Sequence, residues 1–303
     1  LKTQETTNSE LQATEAQKIR NEENKPTWEI SPEKKDFLFM ENKDKAGSFL
    51  QDKKKLIGMP ILGITFAELL IYSGNIKEAV LLHVLLLLTL SLSDMAIKDE
   101  QVQKNYQALI LLPILRLVNL SMPIFFDTTL YSFIFIYAPL IIPVTIAAKH
   151  QKIKREEIGL NFDKKLCYYT ALAIPLGFLL GVGEYATIRT GYLIPELSFL
   201  NLLKLTIVMV FFVGLIEEII FRAMLQTRLA ETFGTFEGLF GASLLFGLMH
   251  SGYGTFYEIL YTSFVGFIIG ILFYKTKNLP FITVLHGFVN VFLFGIIPHM
   301  NLL

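Results

Sequence analysis

The chain changes character near residue 56. Before that point Glu, Lys, Asn, Gln, Ser and Thr dominate, and residues 1–50 read as a polar, disordered tail with too few apolar side chains to offset the entropy of ordering. Phe37, Leu38, Phe39 and Met40 form one short apolar patch in it, able to touch a membrane surface. From Leu56 onward, long apolar runs alternate with short charged clusters. A helix needs about 20 mainly apolar residues to cross about 30 Å of hydrocarbon. The runs are Leu56–Ser73, Ile76–Ser93, Tyr106–Phe126, Leu130–Ala148, Leu166–Val182, Leu200–Leu225, Phe236–His250, Phe256–Tyr274 and Pro280–Ile297. The pattern predicts an all-α fold, a polytopic transmembrane helix bundle of about eight to nine helices. The runs do not alternate and are about twice the length of a barrel strand, which excludes a β-barrel. Phe236–His250 is short and Gly-rich, and predicts a partial or tilted segment.

Composition agrees with the pattern. Apolar residues make up 52% of the chain and charged residues 18%, against about 25% in soluble domains. The formal net charge is zero, so no global field favours nucleic acid; membrane lipids are the expected surroundings. A single cysteine, Cys167, excludes an internal disulfide framework and reads as a small filler in a helix. Leu1 in place of an initiator Met predicts a fragment or a processed form, and the polar start holds no cleavable signal sequence.

The basic residues predict an orientation. Lys53, Lys54 and Lys55 precede the first run and place the tail in the cytoplasm. Alternation from there puts Lys98, Lys104, Lys149, Lys152, Lys154, Arg155, Lys164, Lys165, Arg222, Arg228, Lys275 and Lys277 on the same side. The opposite side receives Lys77, Arg189 and Lys204. Lys outnumbers Arg more than threefold, which fits an AT-rich genome and a bacterial cell membrane, with an endomembrane protein as the alternative.

An ionisable side chain at membrane depth is expensive, and persists where it has a partner or a task. Glu68, Asp94, Arg116 and Glu184 lie in or near runs at no telling spacing, and are expected to snorkel or pair between helices. His83, alone in an apolar run, reads as a satisfied interior histidine. Three other segments differ. In Gly214-Leu215-Ile216-Glu217-Glu218-Ile219-Ile220-Phe221-Arg222, two adjacent carboxylates would repel each other if both were charged. Glu218 and Arg222 stand four apart with the acid N-terminal, the favourable order for a helical ion pair. Glu217 points about 100° away around the helix, without an in-helix cation, and is suited to act as a general base. The second segment, Phe246-Gly247-Leu248-Met249-His250, places a histidine after small residues (Gly241, Ala242, Ser243, Gly247) that let another helix approach. The third, His286-Gly287-Phe288-Val289-Asn290, puts two polar groups on one helix face. Together the three supply parts for hydrolysis: a base for water, groups to hold it, and donors for a developing oxyanion.

In this order and at these spacings, the motifs resemble the CPBP family, the CAAX-protease and bacteriocin-processing membrane proteins also called Abi. The family pattern is Glu-Glu-x-x-x-Arg, then Phe-x-x-x-His, then His-x-x-x-Asn or Asp. Here those are Glu217-Glu218 with Arg222, Phe246 with His250, and His286 with Asn290. Glu156-Glu157-Ile158-Gly159-Leu160 looks like the family's lead-in. The resemblance implies an intramembrane endopeptidase acting on a peptide or lipidated protein substrate. Carried over by position, Glu217 would activate water with His250, His286 and Asn290 would stabilise the oxyanion, and Glu218, Arg222 and Phe246 would support the site. Members are also classed as metalloproteases; Glu217, His250 and His286 could supply the three protein ligands of a zinc site, so the cofactor is either none or Zn. Residues 51–150 carry no recognised motif, and residues 155–297 form the CPBP-like core.

Two rival classes remain. A non-catalytic scaffold, immunity or regulatory protein of the same fold would have no need of an unpaired Glu217. A transporter with a buried proton relay would be expected to show an internal repeat, which is absent here. One tension attends the catalytic reading. Glu217 and His286 fall nearer one side of the membrane and His250 nearer the other, so the short segment before His250 cannot be a simple straight span.

Overall fold

A computed structural model describes residues 32–125, 129–160 and 165–300. Residues 1–31 of the expected tail, Phe126 and Lys164 lie outside these, as do the side chains of the 37–40 patch. Two compact units are present, Leu1–Asp52 and Lys53–Leu303. The second is undivided near residue 150.

Secondary structure among the described residues is helical throughout. Helix α1 (Pro32–Tyr72) begins inside the stretch expected to be tail, where Lys, Glu, Leu, Met and Ala are good helix formers. Then come α2 (Ile76–Ala96), α3 (Glu100–Phe125), α4 (Ser132–Tyr137) and α5 (Ile141–His150). Helix α6 is Lys165–Ile188, α7 Phe199–Phe233, α8 Thr235–Leu248, α9 Phe256–Thr276 and α10 Leu279–Met300. Among the described residues, seven helical stretches, with Ser132–His150 (α4 and α5 together) as one of them, are long and apolar enough to span a bilayer, so the protein is an integral multi-pass membrane protein. Its outer surface carries large apolar side chains such as Met59, Leu62, Leu92, Leu179 and Phe211. Such a surface would be a liability in water and is ordinary against lipid.

Two runs depart from straight spans. The run expected over Leu130–Ala148 is broken between α4 and α5, because Pro139 offers no N–H to continue the helical ladder. Helix α8 has 14 residues and rises only about 21 Å, too short to cross. It folds back on α7 through Gly234, whose φ of +116° suits glycine alone. This fold-back removes the depth conflict. Glu217 stands seventeen residues before Gly234 and His250 sixteen after it, so each lies about 25 Å from the bend. Helix α7 runs unbroken to Phe233, which puts Glu217 well inside it.

The motif helices pack closely. A Cβ on Gly287 would lie 2.4 Å from the Val210 side chain, and one on Gly214 would lie 3.0 Å from the Thr283 carbonyl oxygen. Glycine at both positions lets α10 meet α7 nearly backbone to backbone. Asn278 starts α10 by accepting from the Phe281 N–H at 2.9 Å, with Pro280 in the first turn.

Candidate active site

Helix α7 is irregular at the Glu-Glu pair. π-helical stretches at Val208–Gly214 and Ile219–Gln226 bracket a single α turn, Leu215–Glu218. Such widened turns are rare and concentrate at functional sites. Both carboxylates are buried, Glu218 completely and Glu217 at 7% exposure.

The two acids have different partners. Glu218 Oε2 lies 3.1 Å from Arg222 Nε, the ion pair expected from the four-residue spacing, and its Oε1 lies 2.7 Å from His286 Nδ1. Arg222 is fully buried, and its guanidinium sits 4.8 Å from the Phe246 ring centroid, so an aromatic face and one carboxylate offset its charge. Glu217 Oε1 accepts a hydrogen bond from the Tyr137 hydroxyl, and its Oε2 lies 3.6 Å from His286 Nε2. His286 therefore bridges the two acids, one to each ring nitrogen.

Phe246 joins the three motifs physically. Its ring meets His250 at 5.0 Å, stands edge-on to His286 at 5.7 Å and to Phe221 at 5.0 Å. His250 follows the end of α8, with Nδ1 2.9 Å from the Phe246 carbonyl oxygen. A carbonyl can only accept, so Nδ1 carries the proton and Nε2 of the neutral ring is left as an acceptor. Glu217, His250, His286 and Asn290 all line one cavity of about 330 Å³.

The loop that carries His250 is tied to the N-terminal helices. Arg116 on α3 gives two donors to Glu68 on α1 and one to the Met249 carbonyl, beside His250. Ser251 donates to the same Glu68 at 2.7 Å, and His83 Nε2 lies 3.2 Å from it. Asp94 accepts from Gln107 at 3.1 Å. These groups pair between helices. Glu184 does not: it lines the cavity. Tyr137 and Tyr253 are there too, and no pattern in the sequence marks either, since a tyrosine near a helix end is common.

Residues 199–292 match the family model described as Rce1-like, type II CAAX prenyl endopeptidase. The family that the three motifs resemble is the family matched. Comparisons with curated proteins and with solved structures return no match. The matched segment contains Glu217, Glu218, Arg222, Phe246, His250, His286 and Asn290. Tyr137, Arg116 and Glu184 lie outside it, so the cavity is completed by helices that the match does not reach.

A zinc site would need three converging donors. Among the described residues no group of three His, Cys, Asp or Glu side chains is placed to hold a metal ion. One atom of each group is taken, Glu217 Oε1 by the Tyr137 donor, His286 Nδ1 by Glu218 and His250 Nδ1 by a carbonyl, which leaves Glu217 Oε2, His286 Nε2 and His250 Nε2. Bonds of that kind orient metal-ligating side chains, so it is the spacing of the remaining atoms that does not make a three-ligand centre.

Proposed function

We propose that the protein is an intramembrane endopeptidase in which Glu217 activates the water that hydrolyses a peptide bond. One observation carries the reading: Glu217 Oε2 and His286 Nε2, 3.6 Å apart, share a buried cavity with His250 and Asn290. Tyr137 holds Glu217 Oε1, which leaves Oε2 for the proton of the attacking water. His250 Nε2 is the second acceptor for that water. Attack on the carbonyl carbon breaks its π bond and places charge on the oxygen. In its doubly protonated form His286 donates from Nδ1 to Glu218 and keeps Nε2–H for that oxyanion, with the Asn290 amide as second donor. Collapse of the tetrahedral intermediate breaks the C–N bond, and Glu217 returns its proton to the leaving amine. These steps run through protein groups alone.

The substrate class is a membrane-associated peptide or a lipidated protein. The Lys and Arg asymmetry supports a cytoplasmic N-terminus, and the excess of Lys over Arg supports a bacterial cell membrane. The test compares the parent chain with Glu217→Ala in detergent on a panel of membrane peptides. The parent is expected to cleave, the variant to lose at least about 10³-fold in kcat/KM. Cleavage that persists without Glu217 overturns the assignment. Activity is expected to survive a chelator in the same assay.

A further inference from the structure

Around the cavity, buried carboxyl groups are engaged with one exception. Glu68 holds Arg116 and Ser251, Glu218 holds Arg222 and His286, and Glu217 accepts from Tyr137. Glu184 on α6 is 6% exposed and lines the cavity, yet its carboxyl makes no hydrogen bond or ion pair with any described residue. The charged groups that act on it are Glu258 and Glu217, both acidic. Glu258, on α9, is fully buried; one of its oxygens accepts from the Thr187 hydroxyl and the other has no hydrogen-bond partner among the described residues. Thr187 stands one turn beyond Glu184 on α6, and its hydroxyl also reaches the Glu184 backbone carbonyl at 2.8 Å. The threonine thus links the two acids, and the cationic group that acts on the pair is His250, through Glu258. Arg116, the guanidinium on the cavity wall, gives Nε and Nη2 to Glu68 and makes no ion pair with either of these acids.

A carboxyl held at this depth without a partner is expensive and marks a task left for a ligand. A neutral peptide N–H would satisfy one oxygen and leave two neighbouring acids uncompensated. An ammonium or guanidinium group answers both, through charge-assisted hydrogen bonds. A substrate carboxylate placed there would be repelled by the same pair. We infer that Glu184, with Glu258 beside it, is a substrate subsite for a cationic side chain, Lys or Arg, close to the bond that Glu217 hydrolyses. The inference rests on the peptidase reading for that last clause, whereas the subsite itself can be read by binding.

The test uses membrane peptides of one sequence carrying Lys, Met or Glu at single positions within three residues of the cleaved bond. Hydrolysis is followed with the parent chain, and binding by fluorescence anisotropy of labelled peptides to full-length Glu217→Gln in detergent. Lys is expected to be favoured over Met by about tenfold or more in kcat/KM and in affinity, with Glu last. Glu184→Gln is expected to bring the Lys-to-Met ratio to within about twofold of one. Should that variant fail to fold, Glu258→Gln reads the same pair and is expected to lower the ratio. A ratio near one in the parent, or a ratio that neither substitution changes, overturns the subsite. Lys-selective binding without cleavage would keep the subsite and remove the peptidase reading, and cleavage indifferent to Lys would do the reverse.

Discussion

Two buried ionic clusters of similar composition lie near His250. One joins Glu68, Arg116, His83 and Ser251; the other joins Glu217, Glu218, Arg222 and His286. In the first, Arg116 Nε and Nη2 engage both oxygens of Glu68, and Nη2 also the Met249 carbonyl, so neither oxygen of the acid is left open. In the second, the Glu218–Arg222 half is closed off from the cavity, with the guanidinium nitrogens of Arg222 making no hydrogen bond among the described residues, and Glu217 and His286 turn an oxygen and a nitrogen toward the cavity. Acid, guanidinium and imidazole are common to both. What distinguishes them is which polar atoms are left unused beside open space, and that is the condition for chemistry.

This contrast can be broken at several points. The largest effect is expected inside the second cluster. Glu217→Gln should abolish hydrolysis and leave thermal unfolding within a few degrees of the parent, whereas Arg222→Ala should lose about 3–5 kcal/mol of stability by stranding Glu218. Unfolding of both variants in detergent, read beside activity, measures the split; equal destabilisation by the two would erase the division into a closed and an open half. Arg116→Met comes next, with about 3 kcal/mol lost, because Glu68 keeps Ser251 and His83 after its guanidinium is gone. Its activity is expected to fall as well, since the carbonyl next to His250 loses its donor. Full activity in a folded Arg116→Met protein would uncouple the first cluster from the site. The smallest effect belongs to Tyr137→Phe. Losing one hydrogen bond to a charged group should lower kcat about tenfold with KM unchanged. A rise in KM alone would make Tyr137 a substrate contact rather than a positioning residue for Glu217.

Much of the bundle was legible because a helix in lipid must be apolar around its whole circumference, and runs of that length stand out without any knowledge of neighbours. The Glu218–Arg222 pair was legible for a similar reason, since both partners lie on one helix at a spacing that brings them together. Helix α8 was harder. Its apolar residues look like those of a span, and its shortness mattered only once Gly234 turned the chain back along α7. The unbroken length of α7 was hidden by Arg222 and Arg228, which resemble the charged end of a span. Both are buried, Arg222 against Glu218 and Phe246, and Arg228 against Gln151 and Glu231. Glu184 was visible as an ionisable residue in a run, yet nothing near it in sequence told an acid that pairs between helices from one that faces a cavity.

By itself, then, the sequence determined that the chain is a helical membrane protein and which side chains carry the three ordered motifs. Both follow from local facts, the length of apolar runs and fixed spacings along single helices. Only the tertiary structure decided that His250 returns to the level of Glu217, that Tyr137 holds one oxygen of that acid, and that Glu184 is left without a partner among the described residues. Those outcomes depend on the height and rotation at which separate helices meet. Here that is governed by a bend at Gly234 and by the close approach of Gly214 and Gly287 to neighbouring backbones, neither of which any one segment encodes.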